Sequence, residues 1–362
     1  MGIAGETTWR VPSLSLPDPA RLLPVESLKE YEAIRLFIER ALTILPSFEI
    51  THTNVAAMAQ VCQQLDGIPL AIELAAARVK VLSVEQIATR LHDRFQLLTQ
   101  GSRTALPRHQ TLRGAMDWSY DLLSDHERVL LRRTSVFTAG FTLEAVEEVC
   151  AGQTIQKAQI LDLLSRLVDK SLVIVEGTDG GEPRYRLLET VRQYAADRLA
   201  ESGEATPVRL RHRDRFLALA EEAEQGLRGP EQEAWTARLA IELDNLRAVL
   251  DWCKTEEGGP DAGLRVAGAL GLFWDVRGYL SEGRRWLEGL LSLATGASDA
   301  TRAKALNWAG VLAYRQGDYA RVRTLCEEAL ALSRSAGDQW GTALAFTTSD
   351  TSHNLKATTA RP

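Results

Sequence analysis

A mainly α-helical chain, with one small β-hairpin and a closing array of stacked helix pairs, is the fold class this sequence predicts. Three observations carry that expectation. Apolar residues recur at helical spacing along most of the length. The period turns extended only around residues 172–188, where two short apolar runs flank a glycine-rich turn. Beyond residue 209 a glycine pattern repeats: Gly271 and Gly310 lie 39 residues apart, and Gly278 and Gly317 repeat that offset.

A length of 362 residues is enough for two or three domains. Hydrophobic residues make up 45% and charged residues 25%, a balance that excludes a disordered chain or a disulfide miniprotein. Lys+Arg number 42 against 48 Asp+Glu, and the net charge of −6 argues against a chain built mainly to grip nucleic acid. No run approaches a membrane-spanning length, and the first residues lack a cationic region followed by an apolar one. A cytoplasmic protein with no membrane partner is expected. Cys62, Cys150, Cys253 and Cys326 are far apart and read as small buried hydrophobes in a reducing compartment. The six histidines show no H-x-x-x-H spacing, so no metal site is expected. No G-x-S-x-G elbow occurs.

The elements follow in order. Residues 1–27 hold Pro12, Pro17, Pro19 and Pro24, which cannot propagate a helix, so an extended lead-in is expected. Residues 28–100 carry helical stripes. One helix ends at Asp66-Gly67, the next starts at Pro69, and Ser83 with Gln86 forms a capping box for a fourth. Residues 101–107 are a linker. Residues 108–202 begin with helices, one of them opened by the Ser124/Glu127 capping box and another by Thr142. A helix over Ile160–Lys170 follows, then strands at 172–175 and 184–188, then a helix from Glu189. Helices, a hairpin and a helix outline a winged helix-turn-helix. Residues 209–346 read as helix pairs, and the copy over 303–332 resembles a tetratricopeptide repeat. In that copy Gly310 allows close helix approach, and Tyr319 follows the Gly317-Asp318 turn. Residues 347–362 are Thr/Ser-rich without periodicity, and a disordered tail is expected there.

The run Gln64-Leu65-Asp66-Gly67-Ile68-Pro69-Leu70-Ala71 resembles the G-x-P-L-A motif of NB-ARC, or STAND-type, signal-transduction ATPases. The stretches RHQTLRGAMDWSYDLLSDHERVLLRRTSVFTAGF (108–141) and RYRLLETVRQYAADRL (184–199) look like the bacterial branch of that family, the LuxR-family and AfsR-like regulators. The resemblance covers residues 1–346. It implies the order nucleotide-binding core, helical domain, winged helix, repeats. The first is missing here: no G-x-x-x-x-G-K-[ST] loop occurs, nor any Gly-Lys pair. The chain therefore reads as the part following an ATPase core, non-enzymatic by itself. ATP or ADP belongs to the intact family, and no cofactor is expected for this chain alone.

The resemblance implies two nucleotide-contacting sets. Gly67, Pro69 and Leu70 fall where the family's proline packs on adenine. Leu187, Leu188 and Glu189 fall on the Met-His-Asp positions, where Leu188 cannot donate a hydrogen bond to phosphate. The plainer reading of these residues is a helix-to-helix turn and a helix start. DNA binding is the competing function, with Arg166, Lys170, Arg184 and Arg186 as its cations. Residues 108–200 hold 12 Lys/Arg against 14 Asp/Glu, which argues against direct DNA binding. The repeats offer a groove for a protein or small-molecule effector, with Arg284, Arg285, Arg315, Arg321 and Arg323 as candidate lining, or else as a solvated surface. An ATPase core acting in trans is a further partner. Three functions stand: a regulatory scaffold coupling effector binding to nucleotide state, a DNA-binding regulator, and a nonfunctional truncated product.

Overall fold

The computed structural model describes residues 13–17, 27, 30–49, 51, 54–91, 112–177 and 182–359. It divides into two units. One takes Met1–Ser135 with Cys150–Ser202, the other Val136–Val149 with Gly203–Pro362.

The chain opens with helices α1 (Glu32–Ile44), α2 (Asn54–Gln64), α3 (Pro69–Ala76) and α4 (Val84–Arg90), then α5 (Leu112–Asp121) and α6 (Asp125–Thr134). A two-residue strand β1 (Phe141–Thr142) leads into α7 (Leu143–Cys150), followed by α8 (Ile160–Asp169), the strands β2 (Ile174–Glu176) and β3 (Arg184–Arg186), and α9 (Glu189–Glu201). The remainder is helical: α10 (Ala205–Gly226), α11 (Gln232–Ile241), α12 (Leu243–Trp252), α13 (Pro260–Ala269), α14 (Gly271–Arg277), α15 (Leu280–Leu293), α16 (Asp299–Arg315), α17 (Tyr319–Ser335) and α18 (Gln339–Thr359). The chain is mainly α-helical, as its periodicity predicts.

In the first unit, both predicted capping boxes form, at Ser83/Gln86 and at Ser124/Glu127. Helix α1 buries Ala33, Ile34, Phe37 and Ala41 against residues of α2, α3 and α4. Tyr194 of α9 enters the same core. Its hydroxyl donates to Asp117 at 2.7 Å, and its ring meets that of Tyr120 edge-on at 5.6 Å. The regions expected as separate domains, 28–100 and 108–202, therefore share a core in this unit, and 136–149 is taken out of the second of them. Of the lead-in, Ser13–Pro17 is described and is non-helical: Ser15 exchanges hydrogen bonds with Glu32, and Gln63 donates to the Pro17 carbonyl at 2.7 Å. The linker at 101–107 lies outside the described residues.

The hairpin is antiparallel, pairing Ile174 with Arg186 and Glu176 with Arg184. Its first strand starts two residues later than the sequence predicts. The amides of Leu172 and Val173 both point to the Leu167 carbonyl, at 3.0 and 3.3 Å, and so close the end of α8 instead.

In the second unit, helix pairs stack through small residues. A Cβ on Gly271 would stand 2.1 Å from the indole of Trp308, so only glycine fits under that ring. Trp274, Trp286 and Trp308 are buried. The tail departs from expectation, because α18 continues through Thr359. The hydroxyls of Thr347, Thr348 and Thr351 donate to carbonyls four residues back, at 2.9, 2.8 and 2.7 Å. Residues read as helix-averse thus place their polar groups on the helix itself.

Candidate functional site

The turn before α3 is shaped locally. Pro69 is the first residue of α3, where its missing amide would have had no helical partner. Asp66 and Gly67 both adopt the left-handed conformation, with φ of +55° and +65°. Gly67 meets a second constraint: a Cβ there would lie 2.5 Å from the Leu14 carbonyl oxygen. The Leu14 amide also donates to the Gly67 carbonyl at 3.1 Å. The space beside Gly67 is filled by the chain's own Ser13–Pro17 segment. Pro69 is exposed and Leu70 half-buried.

From that turn Asp66 reaches the start of α9. Its Oδ2 accepts from the Thr190 amide at 3.0 Å and from the Thr190 hydroxyl at 3.2 Å. The first amides of a helix have no internal partner, and Leu188, the N-cap of α9, has no side-chain acceptor to offer them. Asp66 supplies it. Glu189, next along, receives Arg192 in a two-pronged pair at 2.6 and 2.7 Å. That pairing holds the Arg192 guanidinium above its ordinary range, and the charge of Asp66 adds to the effect. Leu187 is buried. The sets Gly67-Pro69-Leu70 and Leu187-Leu188-Glu189 thus meet at one corner of the first unit. Asp66, Thr190 and Arg192 build that corner, and sequence reasoning did not single them out. The available signal was an acid placed directly before a Gly-x-Pro turn.

The corner does not fit a nucleotide phosphate. The Thr190 amide is already taken by a carboxylate, Glu189 places a second negative charge beside it, and Leu188 has nothing to donate. The room beside Gly67 is closed by Leu14.

Of the four cations proposed for DNA, Lys170 and Arg186 are engaged by acids of the same unit. Lys170 bonds both oxygens of buried Glu127 at 2.8 Å. Burial alone would raise the Glu127 carboxyl, but hydrogen bonds from Lys170 and Ser124 hold it below its ordinary range. Arg186 pairs with Glu176 across the hairpin, and Arg184 is half-buried. Arg166 is exposed on α8, whose other exposed residues include Leu161, Asp162 and Asp169.

On the repeats, Arg284 bridges Glu288 at 2.8 Å and Asp318 at 2.7 Å. Arg315 forks onto Asp275 at 2.8 and 3.0 Å. Arg321 lies 3.5 Å from Glu288. These three tie neighbouring helices together, while Arg285 and Arg323 are exposed. All four cysteines are buried, and burial pushes the Cys62 thiol up to about 12. Among the described residues no cluster of three or more His, Cys, Asp or Glu is placed to hold a metal ion. Nor is any helix among them long and apolar enough to cross a membrane.

Residues 123–200 match the winged helix-turn-helix domain family. A Mycobacterium tuberculosis H37Rv protein named "Putative HTH-type transcriptional regulator" is 40% identical, over all of this chain and 40% of its own length. A Mycobacterium bovis protein of the same name matches equally. An uncharacterized M. tuberculosis H37Rv protein is 42% identical over 59% of this chain and 51% of its own length. The chain thus spans about 40% of the length of the regulators it matches. A crystal structure of a Signal Transduction ATPase with Numerous Domains (STAND) protein with a tetratricopeptide repeat sensor, from Pyrococcus horikoshii, aligns with 92% of this chain and 57% of that chain. Its identity is 14% and its TM-score 0.24. The chain contains a winged helix-turn-helix and is similar to proteins named as transcriptional regulators.

Proposed function

We propose that this chain is the non-catalytic regulatory portion of a cytoplasmic STAND-type ATPase regulator of the NB-ARC kind, related to the LuxR-family and AfsR-like proteins. Its repeats bind a protein or small-molecule effector, and the first unit relays that event to a nucleotide-binding core outside these residues. One observation carries this reading. Asp66 bonds the G-x-P-L-A turn directly to the first turn of α9, so a displacement of either one is felt by the other without a nucleotide between them. The absence of a phosphate-cradling loop supports the non-catalytic part.

A second reading, direct DNA binding, is favoured by the match at 123–200 and by the names of the relatives. Against it stands the engagement of Lys170 and Arg186 by acids of the same unit. Fluorescence anisotropy of a labelled duplex, titrated with the full chain at about 50 and about 200 mM salt, separates the two. The regulatory reading expects no salt-sensitive binding. Binding that weakens steeply with salt and falls in Arg166→Ala/Lys170→Ala overturns it in favour of DNA. ATP turnover that disappears in Pro69→Ala would remove the non-catalytic part of the proposal.

A further inference from the structure

The winged helix-turn-helix match runs unbroken over residues 123–200. Within it, however, Val136–Val149 belongs to the second unit, with Gly203–Pro362. Four holds explain why, all of them inside that unit.

Asn245 of α12 is 0% exposed and works as a socket for the turn before β1. Its Oδ1 accepts from the amides of Thr138 and Ala139 at 2.9 and 3.3 Å. Its Nδ2 donates to the Gly140 carbonyl at 3.1 Å and to Glu242 at 2.8 Å. A turn has no ladder to satisfy its backbone, and one amide side chain serves both senses here. Arg211 of α10 donates to the Val149 carbonyl at 2.7 Å, placing a cation on the C-terminal end of α7. Arg215, one turn further along α10, pairs with Glu144 at 3.1 Å and Glu148 at 2.9 Å, which share one face of α7. Finally, Phe137, Phe141, His212 and Phe216 are all buried, with the Phe137 ring 4.9 Å from Phe141 and 5.0 Å from His212.

We infer that α7 and the turn before it, the second helix of the helix-turn-helix by sequence, form a folding element of the helical-repeat unit. The motif is split between the two units, the chain passing from one to the other at Ser135–Val136 and at Val149–Cys150.

Native-state hydrogen exchange of the full chain, read by mass spectrometry, tests it. Leu264→Ala removes a fully buried side chain of α13 in the second unit, and Leu164→Ala removes one of α8 in the first. The expected result is that Leu264→Ala speeds exchange over 136–149 at least tenfold together with α10 and α12, leaving α8 and α9 unchanged. Leu164→Ala does the converse. Should Leu264→Ala fail to fold, Val266→Ala gives a milder version of the same perturbation. Exchange over 136–149 that follows Leu164→Ala, alone or alongside the second-unit variant, overturns the assignment.

Discussion

Asp66 and Asn245 perform comparable tasks in the two units, and they differ instructively. Each captures backbone more than a hundred residues away: Thr190 for Asp66, and Thr138 to Gly140 for Asn245. Asp66 is half-buried and charged, and it serves a helix start, where only amides lack partners. A carboxylate, which can only accept, suits that place. Asn245 is fully buried and neutral, and it serves a turn in which amides and a carbonyl both need partners. Only a group that donates and accepts satisfies both, and it does so without burying a charge.

The contrast can be broken first at Asn245. Asn245→Ala removes three hydrogen bonds to the turn at Thr138–Gly140, and the second unit should lose about 3 kcal/mol, at about 1 kcal/mol per bond. Urea unfolding followed by tryptophan fluorescence measures this, because Trp235, Trp252, Trp274, Trp286, Trp308 and Trp340 all lie in that unit. Acid sharpens the comparison next. Burial pushes His212, beside Phe137, down to about 3, with the Arg209 charge adding to it. The unfolded chain takes up that proton below its ordinary value and the folded unit does not, so stability present above about pH 6.5 is lost as pH falls towards 3. Between about pH 7 and 5 the loss should be about 2 kcal/mol, and His212→Phe should remove that pH dependence. The smallest effect is expected at the first corner. Asp66→Ala should cost about 1 kcal/mol, and Asp66→Asn, which keeps an acceptor and tolerates the left-handed backbone, less. Exchange of the first amides of α9 reports it. A loss at Asp66 equal to that at Asn245 would erase the distinction between the two devices.

What was legible in the sequence was what is decided within a few residues. Both capping boxes, the proline start of α3, the hairpin and the glycine offset of the repeats are local signals, and each has its counterpart in the structure. The G-x-P-L-A turn and the Leu187–Glu189 positions were legible as separate sites. Their meeting was not, because the residue joining them is a single acid bonded 124 positions away. Asn245 left no signal at all: a polar residue on an amphipathic helix looks solvated until the turn it grips is placed beside it. The tail was misjudged for a different reason. Threonine lowers helix propensity on average, but here its hydroxyls bond back to the helix that carries them.

The indole of Trp308 rests where Gly271 has no side chain. Each of the two is a defect alone: a bulky ring with nowhere to go, or a bare spot in a helix. Together they act as a key cut for one lock. Deleting, duplicating or reshuffling a helix pair would separate key from lock, so the array tolerates lengthening at its edges far better than exchange of its modules.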